Sequence, residues 1–170
     1  MENADRYNNP LWRWLDYIAI SGDEHIIFLI ANKEHPGNPV FQNWINEICK
    51  EGEYPDLKLV VREVYSIDIN YGLDKIYFII ADNDYEPVKK GRVQLVRMPV
   101  DGAEQNLKLS EEFWDWNYYS TVELLYVCDL NRDGELEFVT YTSGGQGGLY
   151  QVYALQNDKY VCVLNAGWAE

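Results

Sequence analysis

The sequence predicts a mainly β (α+β) fold, an antiparallel meander of repeated hairpins that is partial-propeller-like or sandwich-like, with two short amphipathic helices. Three observations support this: segments rich in β-branched and aromatic residues recur, turn-forming residues separate them, and a hairpin pattern repeats. After residue 57 no long helical pattern lies between consecutive segments, so parallel crossovers are not expected. For 170 residues we expect a single β-rich domain over 1–170.

The expected strands are short runs bounded by Gly, Asn, Asp or Pro. In chain order they occupy 25–32, 57–67, 75–82, 92–99, 121–130, 136–142, 149–155 and 160–166. Between the fourth and fifth of these, the segment "SEEFWDWN" at 110–117 is expected to form at most a turn of helix.

Two stretches share a helix-start signal, an Asn followed by a Pro at the first helical position. The first, "NNPLWRWLDYIAISG", ends near Gly22, and the second, "GNPVFQNWINEICKEG", ends near Gly52. Each places apolar residues at helical spacing. The stripe of the first is Leu11, Trp14, Leu15 and Ile18, and that of the second is Phe41, Trp44, Ile45, Ile48 and Cys49.

A strand, a glycine-containing turn and a second strand recur three times, at about 17–32, 65–82 and 126–142. The glycines of these turns are Gly22, Gly72 and Gly134. Three copies of one hairpin would stack into a continuous sheet system. The alternative is that any two strands joined by such a turn look alike.

The charge balance excludes some partners. The formal net charge of −14 leaves no basic surface with which to neutralise phosphates, so no nucleic acid partner is expected. No apolar stretch approaches the roughly 18 residues of a membrane span, and no leader peptide is visible. Localisation stays open: extracytoplasmic if a leader was removed, otherwise cytoplasmic.

Cys49, Cys128 and Cys162 are expected to be buried free thiols, or to include one Cys128–Cys162 bridge.

The segment "DLNRDGELE" has the composition of a calcium loop. Calcium takes about six to eight oxygen ligands, and a tight loop supplies them from alternate positions. Asp129, Asn131 and Asp133 occupy positions 1, 3 and 5, Glu135 would offer its backbone carbonyl, and Glu137 would close the site. Gly134 permits the sharp turn between them. The alternative is an Asx-rich hairpin whose side chains are satisfied by its own backbone amides.

An EF-hand is not expected, because position 12 is Thr140 instead of glutamate and the flanks are strand-like. The pattern instead resembles the calcium loop of FG-GAP/VCBS-type β repeats, D-x-[DN]-x-D-G-x-x-[DE] followed by an apolar strand. The downstream "GGQGGLYQVYAL" is similar to the same group, so the close resemblance covers about residues 126–155. It implies structural Ca²⁺ and a module that binds other macromolecules.

The two other hairpin copies depart from this pattern. The copy at 65–82 keeps Asp68, Asn70 and Gly72 but places Lys75 where Glu137 stands, so an ammonium would replace the cation. In the copy at 17–32, His25 takes that place. Both turns are expected to be metal-free.

No catalytic constellation stands out. The histidines have no nucleophile context, and the glycines of "SGGQGG" lack the Lys-Ser/Thr of a phosphate loop. Aromatic side chains crowd the segment 113–119, which is expected to lie between strands. Its candidate partner-binding residues are Trp114, Trp116, Tyr118 and Tyr119.

The resulting hypothesis is a non-enzymatic calcium-binding interaction module that engages a protein partner, possibly basic, through aromatic and acidic surface. One alternative is an acidic inhibitor or immunity-type protein that neutralises a basic toxin or enzyme. Another is a carbohydrate-binding module or small glycosidase, in which the tryptophans stack on a glycan.

Overall fold

The computed structural model describes residues 28–51, 58–69, 73–83, 90–100, 103–114, 120–144 and 147–169. One helix and ten strands lie in these ranges. They are β1 (Phe28–Leu29), β2 (Ala31–Glu34), α1 (Pro39–Glu51), β3 (Val60–Ile69), β4 (Asp74–Asp82), β5 (Lys90–Val100), β6 (Ala103–Trp114), β7 (Ser120–Cys128), β8 (Glu137–Gly144), β9 (Gly147–Gln156) and β10 (Lys159–Ala169). The mainly β prediction is confirmed.

The chain divides into two compact units. The first contains Met1–Phe28, Tyr119–Ala154 and Cys162–Glu170, and the second contains Leu29–Tyr118 and Leu155–Val161. The strands form two sheets in the orders β1-β7-β8-β9-β10 and β2-β3-β4-β5-β6. In the second sheet β2 to β6 are neighbours in chain order, and in the first β7 to β10 are, so the expected antiparallel meander is present. β1 lies beside β7 and is outside this order. The single domain and the propeller-like or sandwich-like arrangement stay predictions.

In the second unit, α1 packs on one face of the sheet β2-β3-β4-β5-β6. Its start follows the expected chemistry: the Asn38 side-chain oxygen accepts a hydrogen bond from Val40 N at 3.1 Å, as an N-cap does. Phe41 and Ile45 are buried against the sheet, so the predicted stripe of this helix is confirmed. The rest of this core comprises Leu59, Val61, Val64, Ile79, Ala81, Val93 and Leu95, with Trp44, Ile48, Cys49 and Tyr77 packed at its margin.

Gln42 ties the helix to the first residues of β3. Its side-chain amide donates to Leu59 O at 2.8 Å, and its side-chain oxygen accepts from Val61 N at 3.2 Å. Both partners are backbone groups at the start of the strand, and each needs a hydrogen-bond partner when it is buried. One glutamine side chain therefore satisfies two backbone groups and fixes the helix against the strand.

In the first unit, the strands β7, β8 and β9 pair in sequence. β7 pairs with β8 from Ser120–Gly144 to Cys128–Glu137, and β8 continues into β9 through the pair Gly144–Gly147. A small apolar core is formed on this sheet by Cys128, Leu130, Val139 and Val152, with Leu125, Tyr126, Tyr150 and Leu164 packed around it. The glycine-rich segment therefore joins two strands, as a hairpin tip does.

Two strand predictions need correction. The segment 25–32 is not one strand within its described part: β1 and β2 belong to different sheets, and Ile30 between them is 80 % exposed. The sequence also fails to predict β6, because its pattern indicates at most a helical turn at 110–117 and a segment between strands at 113–119. Here Ser110 to Trp114 complete β6.

Some predictions fall outside the described residues, namely the first helix and most of the hairpin at 17–32. In the described part of the chain, no helix has the length and apolar character needed to cross a membrane.

All three cysteines are free thiols, which removes the Cys128–Cys162 bridge. Cys128 is buried, Cys49 is half-buried and Cys162 is exposed, so the prediction of buried thiols is correct for Cys128 alone.

Candidate functional site

The acidic loop predicted to bind calcium connects β7 to β8. Cys128 and Glu137 face each other as the last pair of this hairpin, and residues 129–136 form the connection. The flanking elements are therefore strands, which agrees with the rejection of an EF-hand.

Two residues of the loop have positive φ angles, Arg132 at 65° and Gly134 at 90°. A Cβ atom at Gly134 would meet nothing within 4 Å, so space does not restrict this position. The backbone conformation does, since glycine adopts this φ without the steric cost that other residues incur. The predicted role of Gly134 in the sharp turn is thus supported.

The side chain of Asp129 organises the loop backbone. One of its carboxylate oxygens accepts from Arg132 N at 2.6 Å, and the other accepts from Gly134 N at 3.0 Å. Asn131 Oδ1 accepts from Asp133 N at 3.0 Å, and Asp133 Oδ1 accepts from Glu135 N at 2.9 Å. These are Asx-type turns, so the backbone amides hold the polar side chains in a fixed arrangement.

Glu137 differs from the other carboxylates because it is only 3 % exposed. Its Oε2 accepts from Leu130 N at 2.6 Å, which closes the base of the loop across the hairpin. Burial raises the pKa of Glu137, the bond from Leu130 opposes that rise, and the charges of Asp133 and Asp129 add to it. The charges of Asp129 and Asp133 therefore add to the cost of ionising a carboxyl group that burial already disfavours.

The loop places the five predicted ligand residues, Asp129, Asn131, Asp133, Glu135 and Glu137, on one hairpin end. Asn131 and Asp133 are in direct contact, with Asn131 Nδ2 donating to Asp133 Oδ2 at 2.9 Å, and both are exposed, as is Glu135. Among the residues that the structure describes, no three His, Cys, Asp or Glu side chains are grouped closely enough to hold a metal ion. The calcium site stays a prediction.

Leu130 was not part of the predicted site, yet its amide holds the buried carboxylate. No sequence motif indicates it, because the bond depends on how the strands pair.

The second hairpin copy provides a comparison. There Lys75 lies opposite Asp68 in the β3–β4 ladder, with Nζ 3.8 Å from Asp68 Oδ1, so an ammonium does stand beside this carboxylate.

The predicted aromatic surface is only partly described. Trp114 is the last residue of β6, and its backbone pairs with Lys90. Trp116, Tyr118 and Tyr119 lie outside the described residues. Their role in partner binding stays a prediction.

The thiol of Cys128, next to the loop, should react very slowly with alkylating reagents. Burial, together with the charges of Glu137 and Asp129, raises the pKa of Cys128 from 9.0 to about 12. At pH 8 about one thiol in 10⁴ would be ionised, and the thiolate is the reacting form. Mass spectrometry of the iodoacetamide-treated native protein should find exposed Cys162 labelled first and Cys128 labelled only after unfolding. Equal labelling of the two would contradict this.

No protein-family model matches this sequence, and no curated protein and no solved structure matches it either.

Proposed function

We propose that this chain is a non-enzymatic calcium-binding interaction module. In it, the loop from Asp129 to Glu137 binds one structural Ca²⁺, and aromatic and acidic surface engages a protein partner. The observation that supports the metal half is the buried carboxylate of Glu137 at the base of a loop that carries two further carboxylates. A hard divalent cation offsets such repulsion directly.

The proposed ligands are the side chains of Asp129, Asn131, Asp133 and Glu137 and the backbone carbonyl of Glu135. The loop's internal bonds do not exclude this set, because each carboxylate oxygen has a second lone pair besides the one an amide uses. The three residues at positions 1, 3 and 5 are short and lie near the surface, so their side chains could turn toward an ion that replaces hydrogen bonds from the loop amides. Water would complete the coordination.

Calcium should therefore stabilise the folded protein. At about ten to a hundred times the dissociation constant, a ligand that binds only the folded state adds about 1.4–2.7 kcal/mol to the free energy of unfolding. For a chain of this size that corresponds to about 3–11 °C in melting temperature. Thermal unfolding in excess chelator, then in excess calcium, measures the shift. Equal melting temperatures in both would contradict the site.

The double variant Asp129→Ala/Asp133→Ala should lose this calcium response. A matched control is Asp68→Ala/Asp74→Ala, which removes the same charge from the β3–β4 hairpin and should keep the response. The comparison separates a specific site from a general effect of cations on a protein of net charge −14. A calcium shift that survives in the first variant, or is lost equally in both, would overturn the assignment.

The partner half of the proposal rests on composition. The chain combines its negative charge with 15 % aromatic residues, and Trp and Tyr supply large contact area at low entropic cost. Affinity capture with and without calcium tests it, with Trp114→Ala and Trp116→Ala as variants. Binding to a basic partner should weaken as salt rises, since screening reduces charge steering. Capture that neither substitution changes would exclude this surface.

A further inference from the structure

A cavity of about 480 Å³ lies in the second unit, between β6 and the turn that joins β9 to β10. Its lining consists of residues 105–110 of β6 and residues 158–161, all of which belong to the described part of the chain. Ligand sites in proteins commonly have volumes of about 300–1,000 Å³. The space beside this stretch of β6 is therefore open and large enough for a ligand.

Both walls of this cavity are held in place. β6 pairs with β5 along almost its whole length. On the other wall, Asn157 and Asp158 have φ angles of 51° and 60°, as the two central residues of a tight type I′ turn do. Tyr160 follows this turn and is buried, and its hydroxyl donates to Met98 Sδ of β5 at 3.8 Å. The turn is thus tied to the sheet, and the cavity is preformed.

The lining also shows that the cavity runs along the edge of β6. Successive side chains of a strand point to opposite faces of its sheet, so a cavity lined by six consecutive residues does not lie over one face. Among the described strands, β6 is terminal in its sheet, with β5 as its one neighbour. Six strand residues span about 17–20 Å, so a cavity of about 480 Å³ along them is about 5 Å wide. Paired strands lie about 4.8 Å apart, whereas a helix has a diameter of about 10 Å, so the cavity fits one extended chain and not a helix.

The side chains of the cavity differ in charge from the chain as a whole. Acidic residues outnumber basic ones by 28 to 14 in the whole sequence, but in the lining Lys108 and Lys159 stand against Asp158 alone. Leu107 and Leu109 are buried and give this lining an apolar part. At physiological salt, charges farther away than about 8 Å are largely screened, so these local groups decide which side chains fit. The cavity is therefore suited to apolar side chains and one carboxylate.

We propose that this cavity binds a short extended segment of a partner protein, which adds as a strand to the edge of β6. The segment carries one Asp or Glu beside Lys108 and Lys159, next to apolar side chains. Backbone hydrogen bonds to β6 supply affinity, and alternate side chains supply specificity. The register of β6 with β5 shifts at Leu109, which disturbs the edge there and keeps the paired segment short.

The net charge of −14 does not oppose this segment, because its single carboxylate interacts with the lysines of the cavity. The rest of the partner lies outside the cavity, where the negative charge of the chain favours basic residues. The cavity shares no residue with the calcium loop or with the aromatic segment 113–119. Its test is therefore independent of both.

Selection of a phage-displayed library of random nonapeptides on the full chain tests the proposal. We expect the enriched peptides to carry one Asp or Glu among β-branched and other apolar residues, and to lack proline in this stretch. Measured by fluorescence anisotropy, the variant Lys108→Glu/Lys159→Glu should bind a labelled enriched peptide with a dissociation constant raised by about tenfold or more. A library without enrichment, or a variant that binds as tightly as the wild type, would overturn the proposal.

The variant Lys50→Glu/Lys58→Glu is the matched control. Both lysines are exposed, belong to the second unit and lie outside the cavity lining, so the same charge change is made elsewhere. This control should bind the peptide like the wild type. Equal weakening in the two variants would show that net charge alone is responsible, which also contradicts the site.

Methylated peptides test the strand pairing on the wild-type protein, without any substitution in the fold. In an added strand, only alternate backbone N–H groups point toward the strand that it joins. One enriched peptide is therefore N-methylated at its odd residues and a second copy at its even residues. Their dissociation constants should differ by about tenfold or more, since one of them loses the hydrogen bonds to β6. Equal affinities would overturn strand addition as the binding mode.

Discussion

Replacing Phe138 by alanine is expected to lower the free energy of unfolding by about 3–5 kcal/mol and also to weaken calcium binding. Phe138 is fully buried, pairs with Val127 and Tyr153 across the neighbouring strands, and directly follows Glu137. Its loss leaves a cavity at the start of β8, so the carboxylate of Glu137 is held less firmly against Leu130 N. Denaturant unfolding measured in chelator and in excess calcium gives both quantities.

Phe78→Ala is the control for this experiment. Phe78 is equally buried, but it lies in β4 of the second unit, away from the loop in the chain. We expect a similar loss of stability with the calcium response of the wild type retained. If both variants kept the full response, Phe138 would support only the core, and the loop would be positioned independently of it.

The helix α1 could be predicted from the sequence because its signals are local. The Asn38 cap, the Pro39 start and the apolar spacing lie within one segment. They define the apolar face of the helix, and this face packs on the sheet. Most strands with β-branched and aromatic runs were predictable for the same reason, and the run at 25–32 is the exception. What these runs do not encode is the sheet to which each strand belongs.

β6 shows why the rest was missed. Its segment "AEQNLKLSEEFW" alternates apolar and polar residues over only a few positions, at Leu107 and Leu109, and is otherwise mostly polar. Those two leucines are 6 % and 5 % exposed, so burial, not intrinsic propensity, favours the strand. Pairing with β5 decides the conformation of β6. A local sequence pattern does not contain this information.

The candidate site was likewise visible in part. The positions of its carboxylates, its glycine and its flanking strands follow from the motif. The burial of Glu137 and Cys128 does not, because it results from the pairing of β7 with β8 and from the small core beneath the hairpin. The chemistry that makes this loop distinctive, a desolvated carboxylate among repelling neighbours, therefore emerges only in three dimensions.

Glu137→Gln is expected to act in opposite directions with and without calcium. Glutamine has the same shape and keeps an oxygen for the Leu130 amide, but it removes one of the charges that would bind the ion. Calcium affinity should fall by about tenfold or more, since ligand charge sets the affinity of such loops. Without calcium the variant should be more stable than the wild type at neutral pH, because position 137 then carries no buried charge.

The pH dependence follows from linkage. Burial, with the charges of Asp133 and Asp129, raises the folded-state pKa of Glu137 above its ordinary value of 4.5. A raised pKa contributes stability that is fully present below pH 4.5 and is lost as pH rises through the folded-state value. The calcium-free wild type should therefore lose stability relative to Glu137→Gln as the pH rises from acidic to neutral. In acid the two proteins should be equally stable.

Melting temperatures of the wild type and of Glu137→Gln, measured in chelator across this pH range, give the difference in stability. Titrating groups that the two proteins share contribute equally to both and cancel in this difference. Calcium added at neutral pH should then reverse the order, because it stabilises only the protein that keeps the full ligand set. Glu135→Gln is the matched control, since Glu135 is exposed and would bind the ion through its backbone carbonyl. That variant should keep both the calcium response and the wild-type pH profile. Were Glu137→Gln to match it in both respects, the carboxylate of Glu137 would be neither strained by burial nor a ligand.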